Sequence, residues 1–256
     1  MEIIGEDLHI MNQPFLEAME KRDKQALIHL ARRQVDAGAT AIDINLGRNR
    51  RLGQLTPWLV ETIQQAVDVP LFLSNHVVSQ QRGLEVHRGV ATINAVTAEH
   101  DDLVKAMKTA KYLQTNLVVL LVSSRLTPID VNGRLQLAMQ VLECADQVGL
   151  SQRQLYLDPV ISCRPDTTTW HLSGGLPDID VLVESIHLLG ELAAPRLKTI
   201  VALSNTSVCL ANGARSRLHC RLLPLLLEAG LDAVIMNCRD EKLMAVARNC
   251  KLPLAA

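Results

Sequence analysis

The apolar side chains of this sequence follow two alternating rhythms. Short continuous apolar runs predict strands at Glu2–Gly5, Ala41–Asn45, Val69–Leu73, Ala91–Asn94, Asn116–Val122, Leu155–Leu157, Thr199–Leu203 and Ala233–Met236. They are apolar throughout rather than alternating, as strands covered on both faces are. Between them, apolar residues recur at helical spacing. Pro14–Asp36 reads as one helix, with Phe15, Met19, Leu27, Leu30 and Ala31 on one side. Pro57–Val67, Glu99–Leu113, Gly133–Val148, Ile179–Leu192, Arg217–Ala229 and Glu241–Ala247 read the same way, and Gln80–His87 more weakly. Gly38, Gly149 and Gly230 stand where helices should stop.

Eight β-then-α units in 256 residues predict a (β/α)8 barrel, a fold of typically about 250 residues. The rival is a doubly wound open sheet. It prefers fewer strands and a glycine-rich first turn, and "GEDLHIMN" lacks that glycine pattern. No Pro/Gly/Ser linker divides the chain, so residues 1–256 are read as a single domain.

Composition removes several functions. The formal net charge of −1 implies no general affinity for polyanions. Aromatics make up 2% of the chain, too few for the stacking platforms that hold single-stranded nucleic acid. Six cysteines are scattered without a C-x-x-C pair, which reads as reduced, mostly buried thiols of a cytoplasmic protein. The start "MEIIGEDLHI" has no signal-peptide pattern. "NLVVLLV" and "LLPLLLEAGLDAVIM" are too short or too interrupted to span a bilayer.

A barrel concentrates its chemistry where strands end at their carboxyl side. In order, those ends read Glu6 and Asp7; Asp43 and Asn45; Ser74, Asn75 and His76; Asn94 and Thr97; Ser123, Ser124 and Arg125; Asp158; Ser204 and Asn205; Asn237. Amides and carboxylates in a mostly apolar pocket suit a flat heterocycle. A carboxylate accepts from a ring N–H and an adjacent amino group, and an amide both donates and accepts. The same residue types also cap helices and shape turns, so each one alone has an ordinary structural explanation.

Several stretches in a fixed order carry a resemblance: "IIGEDLH", "ARRQVDAGATAIDINLG", "TINAVTAEHD", "LYLDPVI", "ALSNTS" with the following Arg215, and "AGLDAVI". Over nearly its whole length the chain resembles the pterin-binding methyltransferases. Within them it is most similar to the methyltetrahydrofolate:corrinoid/iron–sulfur protein methyltransferases, with dihydropteroate synthase more distant. The resemblance implies a (β/α)8 barrel, usually a homodimer. It also implies transfer of the N5-methyl group of methyltetrahydrofolate to or from the cobalt of a corrinoid (cobalamin) carried by a partner protein. By position, Asn94 and Asp158 match residues that bond the pterin ring, and Asn205 matches an asparagine near N5. Asp43 and Asn45 match the D-x-N strand end beneath the pocket, and Arg215 the arginine after the S-N-x-S turn. The implied catalytic pair is Asn205 with Asp158. An amide near N5 can follow the gain of a proton there, strengthening its bond in the transition state without carrying full charge.

The match has gaps at the expected mouth. Ser74 stands where the family has an aspartate that contacts the pterin, with Asn75 and His76 beside it. Asp7 replaces an arginine, His9 an asparagine, Arg48 a proline, and Val208 a larger or polar residue; loop 163–175, "CRPDTTTWHLSGG", also differs. Two alternatives therefore stand beside the folate reading: a corrinoid-dependent methyltransferase of this fold with a non-folate donor, and a binding or assembly subunit without activity. Other chemistry is weaker. His219, Cys220 and Cys238 lack the H-x-C spacing of a zinc thiol-methyltransferase site, so no metal is expected. Cys163 and Cys209 have no histidine assigned beside them. His171, Trp170 and Asp166 lie in a polar loop. "LANGARSR", with Gly213, Arg215 and Arg217 at a helix start, has the make-up of an anion site. The partners expected are thus a corrinoid protein and a reduced pterin, with neither nucleic acid nor membrane.

Overall fold

The computed structural model describes residues 1–74, 77–124, 128, 130–161, 179–207 and 210–250. Its eight parallel strands close in sequence order: β1 Glu2–His9, β2 Ala41–Asn45, β3 Leu71–Ser74, β4 Thr92–Thr97, β5 Asn116–Leu120, β6 Leu155–Asp158, β7 Lys198–Ala202 and β8 Ala233–Met236. β8 pairs back onto β1, with Glu2 beside Ala233, so no sheet edge remains. This is the (β/α)8 barrel the alternating rhythm predicts, not the open sheet.

The helices around it are α1 Gln13–Lys21, α2 Lys24–Ala37, α3 Arg50–Gly53, α4 Thr56–Gln64, α5 Val77–Val86, α6 His100–Leu113, α7 Val131–Val148, α8 Ile179–Glu191, α9 Asn212–Glu228 and α10 Glu241–Asn249. Gly38 and Gly149 end α2 and α7 in the left-handed region, at φ 112° and 72°. No helix among the described residues is long and apolar enough to cross a membrane.

Several element bounds shift from the sequence reading, β4 for one running to Thr97, and two corrections bear on the site. The single helix over 14–36 is two. Arg22 turns left-handed at φ 52° and closes α1, and the Asp23 carboxylate then caps α2 by accepting from the Ala26 N–H at 3.0 Å. An aspartate competes well for exposed backbone N–H groups, and here that outweighs the continuous apolar stripe. β1 also runs four residues past Gly5, through the charged stretch "EDLH". Its pairing with β2 shifts between Gly5 and Leu8. In that irregular stretch the Asp7 N–H is met by Gln34 Oε1 of α2 at 2.9 Å. The Asp7 side chain, 2% exposed, lies 2.9 Å from Arg239 Nε and 3.5 Å from Arg33. A buried carboxylate is tolerable only when paired, and two guanidiniums supply that pairing.

Strand alternation sorts the barrel into layers. Odd and even positions separate the outer core under the helices from the barrel axis. Ile4, Ala41, Phe72, Val118, Tyr156, Ile200, Ala233 and Ile235 fill the axis as one apolar plug. Two residues further along the same inward rows stand Glu6, Asp43, Ser74 and Asp158. The interior therefore changes from hydrocarbon to polar groups at the carboxyl ends of the strands.

Candidate active site

That polar layer is built by β1, β2, β3, β4, β6 and the turn after β7. Asp43 on β2, 5% exposed, accepts from Asn94 Nδ2 at 2.8 Å. The bond reaches from β4 to β2 past the intervening β3, whose residue in register with Asn94 is Ser74. Ser74 is small enough to leave that path open. Its hydroxyl accepts from the Leu46 N–H at 3.3 Å, so it fastens the chain leaving β2. Burial, and secondarily the charge of Glu6, pushes the Asp43 carboxyl up to about 7, against the lowering effect of the Asn94 bond.

Asp158 ends β6 and is 6% exposed. Its Oδ1 accepts from the Val160 N–H at 2.8 Å. Burial raises this carboxyl too, to about 7, opposed by the Val160 bond and by Arg134. Arg134 reaches under the site from α7, donating to the Pro159 carbonyl at 2.8 Å and to Ser185 Oγ at 3.3 Å. Glu6 is the third raised carboxyl. Burial dominates, the Ser204 hydroxyl bond lowers it, Asp7 raises it, and Arg215 and Arg239 lower it. Glu6, Asp43 and Asp158 thus line one mouth, and desolvation raises all three carboxyls. That is how perturbed acids mark functional sites.

The strand ends drawn from the sequence behave differently from one another. Asp43, Asn94, Ser74 and Asp158 form the polar layer. Asn205 stands exposed on the 3-10 turn Leu203–Ser207 that follows β7. Asn45 is exposed as well; its Oδ1 accepts from the Gly47 N–H at 2.9 Å and shapes the turn after β2. Asn237 does the same after β8, accepting from the Arg239 N–H at 2.9 Å. Arg215, in the first turn of α9, donates to the Leu210 carbonyl at 3.3 Å, lies near Glu6, and has a buried Nε without a hydrogen-bond partner among the described residues. Asn75, His76, Arg125, Cys163, Cys209, Val208 and loop 163–175 lie outside the described residues.

Glu6 was legible only as one of two acids at a strand end. Counting two residues on from the inward Ile4 separates it from Asp7. His219 was weighed with Cys220 and Cys238 as a zinc ligand and set aside on its spacing. It is instead buried under the Asn205 turn, with Nε2 2.9 Å from Ser207 Oγ. Cys238 is buried, and its thiol is pushed up to about 12, by burial first and then by Asp7 and Glu6. Cys144 is also buried, whereas Cys220 is half-buried and Cys250 exposed, so two of the four described cysteines are buried. Among the described residues no three His, Cys, Asp or Glu side chains gather to hold a metal ion. A depression of about 340 Å³, lined by Glu2, Phe72, Thr92, Asn116 and Tyr156 among others, opens at the amino-terminal end of the barrel, away from these acids.

The raised carboxyls make a stability prediction. Asp43 titrates at about 7 when folded and near the ordinary 3.8 when unfolded. The folded state therefore binds more protons between those values, and stability falls as pH rises from 3.8 through 7. Asp43→Asn keeps an acceptor for Asn94 and removes the cost of ionisation. It is expected to be more stable than wild type at pH 8, by on the order of 2–4 kcal/mol, with the gain vanishing near pH 4. Urea unfolding at the two pH values measures it.

Residues 8–237 match the family model described as "Pterin binding enzyme". A curated relative, the methylcorrinoid:tetrahydrofolate methyltransferase of Eubacterium limosum, is 21% identical over 250 residues, spanning 95% of this chain and 88% of that protein. Among solved structures, a Xanthomonas albilineans dihydropteroate synthase in complex with indole-2-carboxylic acid and 6-chloroguanine aligns with a TM-score of 0.69 at 13% identity, over 98% of this chain and 94% of that one. The Yersinia pestis enzyme with a pterine-sulfa conjugate aligns at 0.68 and 16% identity, over 97% and 92%. At such identities these two speak to the fold.

Proposed function

The chain belongs to the pterin binding enzyme family, and from that premise we propose that it is a methyltransferase acting between a reduced pterin and a corrinoid. The methyl group moves between N5 of methyltetrahydrofolate and the cobalt of a corrinoid held by a partner protein. The printed activity of the Eubacterium limosum relative supports this choice within the family, and suggests tetrahydrofolate as the acceptor. The single observation that carries the reading is the acid and amide layer at the barrel mouth: buried Asp158 and buried Asp43, the latter bonded to half-buried Asn94, over an apolar plug.

The donor set fits a pterin. Asp158 accepts from the ring N–H and the adjacent amino group, and the ligand's donors replace the water that burial removed. Asn94, steadied by Asp43, bonds the ring from the other side. Asn45 and Ser74 hold the chain beneath the ring, and Arg215 faces the ligand's edge from α9. Asn205 sits at N5. When a methyl leaves N5 that nitrogen gains a proton, and when a methyl arrives it loses one; the amide adjusts to either state. The enzyme is a cytoplasmic homodimer in this reading.

One observation favours a second reading. Ser74 offers no carboxylate at the end of β3, and its hydroxyl is engaged by Leu46. A corrinoid-dependent methyltransferase with a non-folate donor is the corresponding alternative. Calorimetry with methyltetrahydrofolate separates the two. The folate reading expects binding at micromolar strength, followed by methyl exchange with free cobalamin. No heat at millimolar ligand sinks it, and leaves the second reading or a barrel without activity.

A further inference from the structure

The turn that carries Asn205 is fastened more heavily than its length requires. Within it, Thr206 Oγ1 donates to the Leu203 carbonyl at 2.7 Å, and Ser207 Oγ lies 3.2 Å from the Ser204 carbonyl. From the β1 side, Glu6 bonds the Ser204 hydroxyl. From the α9 side, His219 takes hold of both ends. Its Nε2 is 2.9 Å from Ser207 Oγ, and its ring also bonds the Leu203 carbonyl. His219 is 3% exposed, so water does not replace either bond.

We propose that His219 is the positioning residue for Asn205: it ties Leu203 and Ser207 to α9 and so fixes the direction in which the exposed amide points. The proposal rests on the reading of Asn205 given above. It follows from hydrogen-bond arithmetic. A neutral ring has one N–H. The Leu203 carbonyl can only accept, so it takes that N–H. With that N–H on Nδ1, Nε2 accepts the Ser207 hydroxyl proton, which is the proton the Ser204 carbonyl would otherwise receive. The Ser204 carbonyl belongs to the peptide bond leading into Asn205. Protonating the ring reverses the Ser207 bond and sends its proton to Ser204. His219 therefore connects its own charge to the backbone that presents Asn205.

The charged groups facing the ring are Arg215 from its own helix, which disfavours charge, and Asp240 at the start of α10, which favours it; burial, the largest influence, keeps it neutral. Glu6 acts on the far side of the turn, through Ser204. On acidification below the ordinary histidine range the ring gains its proton, and the turn shifts to the second arrangement.

The experiment compares His219→Leu and His219→Gln with wild type, using methyltetrahydrofolate binding, single-turnover methyl exchange with cobalamin, and the side-chain amide NMR signals of Asn205. For His219→Leu the expected result is a rate at least about tenfold lower, a methyltetrahydrofolate Kd within about threefold, and displaced Asn205 signals. His219→Gln, an uncharged carboxamide that both donates and accepts, recovers most of the rate and flattens its acid-side pH dependence. In an Asn205→Ala background, His219→Leu costs nothing more, because the group it positions is gone. Unmoved Asn205 signals, or losses that add in the double variant, overturn the proposal. Should His219→Leu not fold, His219→Gln decides: a rate with wild-type acid dependence overturns it. Should wild type exchange no methyl group, the functional reading fails by itself. The Asn205 signals then decide this proposal alone, displaced in His219→Leu for it and unmoved against it.

Discussion

Replacing Asp158 with alanine is expected to weaken methyltetrahydrofolate binding at least a hundredfold at pH 8. Two ring donors converge on one buried carboxylate in the proposed complex, and each charge-assisted bond contributes about 1.5–3 kcal/mol. Losing both costs on the order of 3–6 kcal/mol, which is at least a hundredfold in affinity. The carboxylate must ionise to bind in this way, and burial holds it at about 7 in the free protein. Ligand donors favour the ionised form and lower that value. Binding at pH 7 is therefore linked to release of a fraction of a proton, and affinity weakens on acidification below 7. Calorimetry in buffers of different ionisation enthalpy reads the proton directly. Asp158→Asn separates charge from shape: it keeps an acceptor, loses the pH dependence, and should fall between wild type and Asp158→Ala. A wild-type affinity that Asp158→Ala preserves would remove this residue from the site.

Asp158 could be found from the sequence because the signal was local: one acid directly after the apolar run "LYL", at the end of a strand whose length was predicted to one residue. Asn94 was found the same way, although β4 runs on past it to Thr97, and Asp43 was found with Asn45 as the polar end of β2. The mutual bond of Asp43 and Asn94 was not, because it spans two strands and depends on how the barrel brings inward side chains together. Ser74 read as a loss. In three dimensions it is also the small residue past which Asn94 reaches Asp43. The charged run "EDLH" hid the end of β1, since the partners that make it tolerable come from α2 and from the chain after β8, far away in sequence. The break at Arg22–Asp23 was legible only as a capping residue inside a long apolar stripe, where two local rules conflict and periodicity alone misleads.

The role proposed for Asn205 divides into a part that the sequence carries and a part that it does not. The motif places an amide after β7. The barrel leaves that amide exposed on a turn clamped from beneath by Glu6 and His219, while the acids that would grip a ring are buried. In the proposed reading binding and chemistry fall to different layers, and their failures should look different. Asn205→Ala is expected to change methyltetrahydrofolate Kd by no more than about threefold while lowering the single-turnover exchange rate by about a hundredfold. That is the scale on which one polar group aimed at developing charge contributes. The argument is differential: a bond that strengthens only as N5 gains or loses its proton adds little to the ground-state complex. Asn205→Asp tests the sign of the effect. A full negative charge at that position would grip protonated N5, and it would assist exchange in the direction that leaves a proton on N5 more than in the reverse. Equal losses of affinity and rate in Asn205→Ala would instead make this amide a binding group, and would move the search for the proton's partner to Asp158 and the Asp43–Asn94 pair.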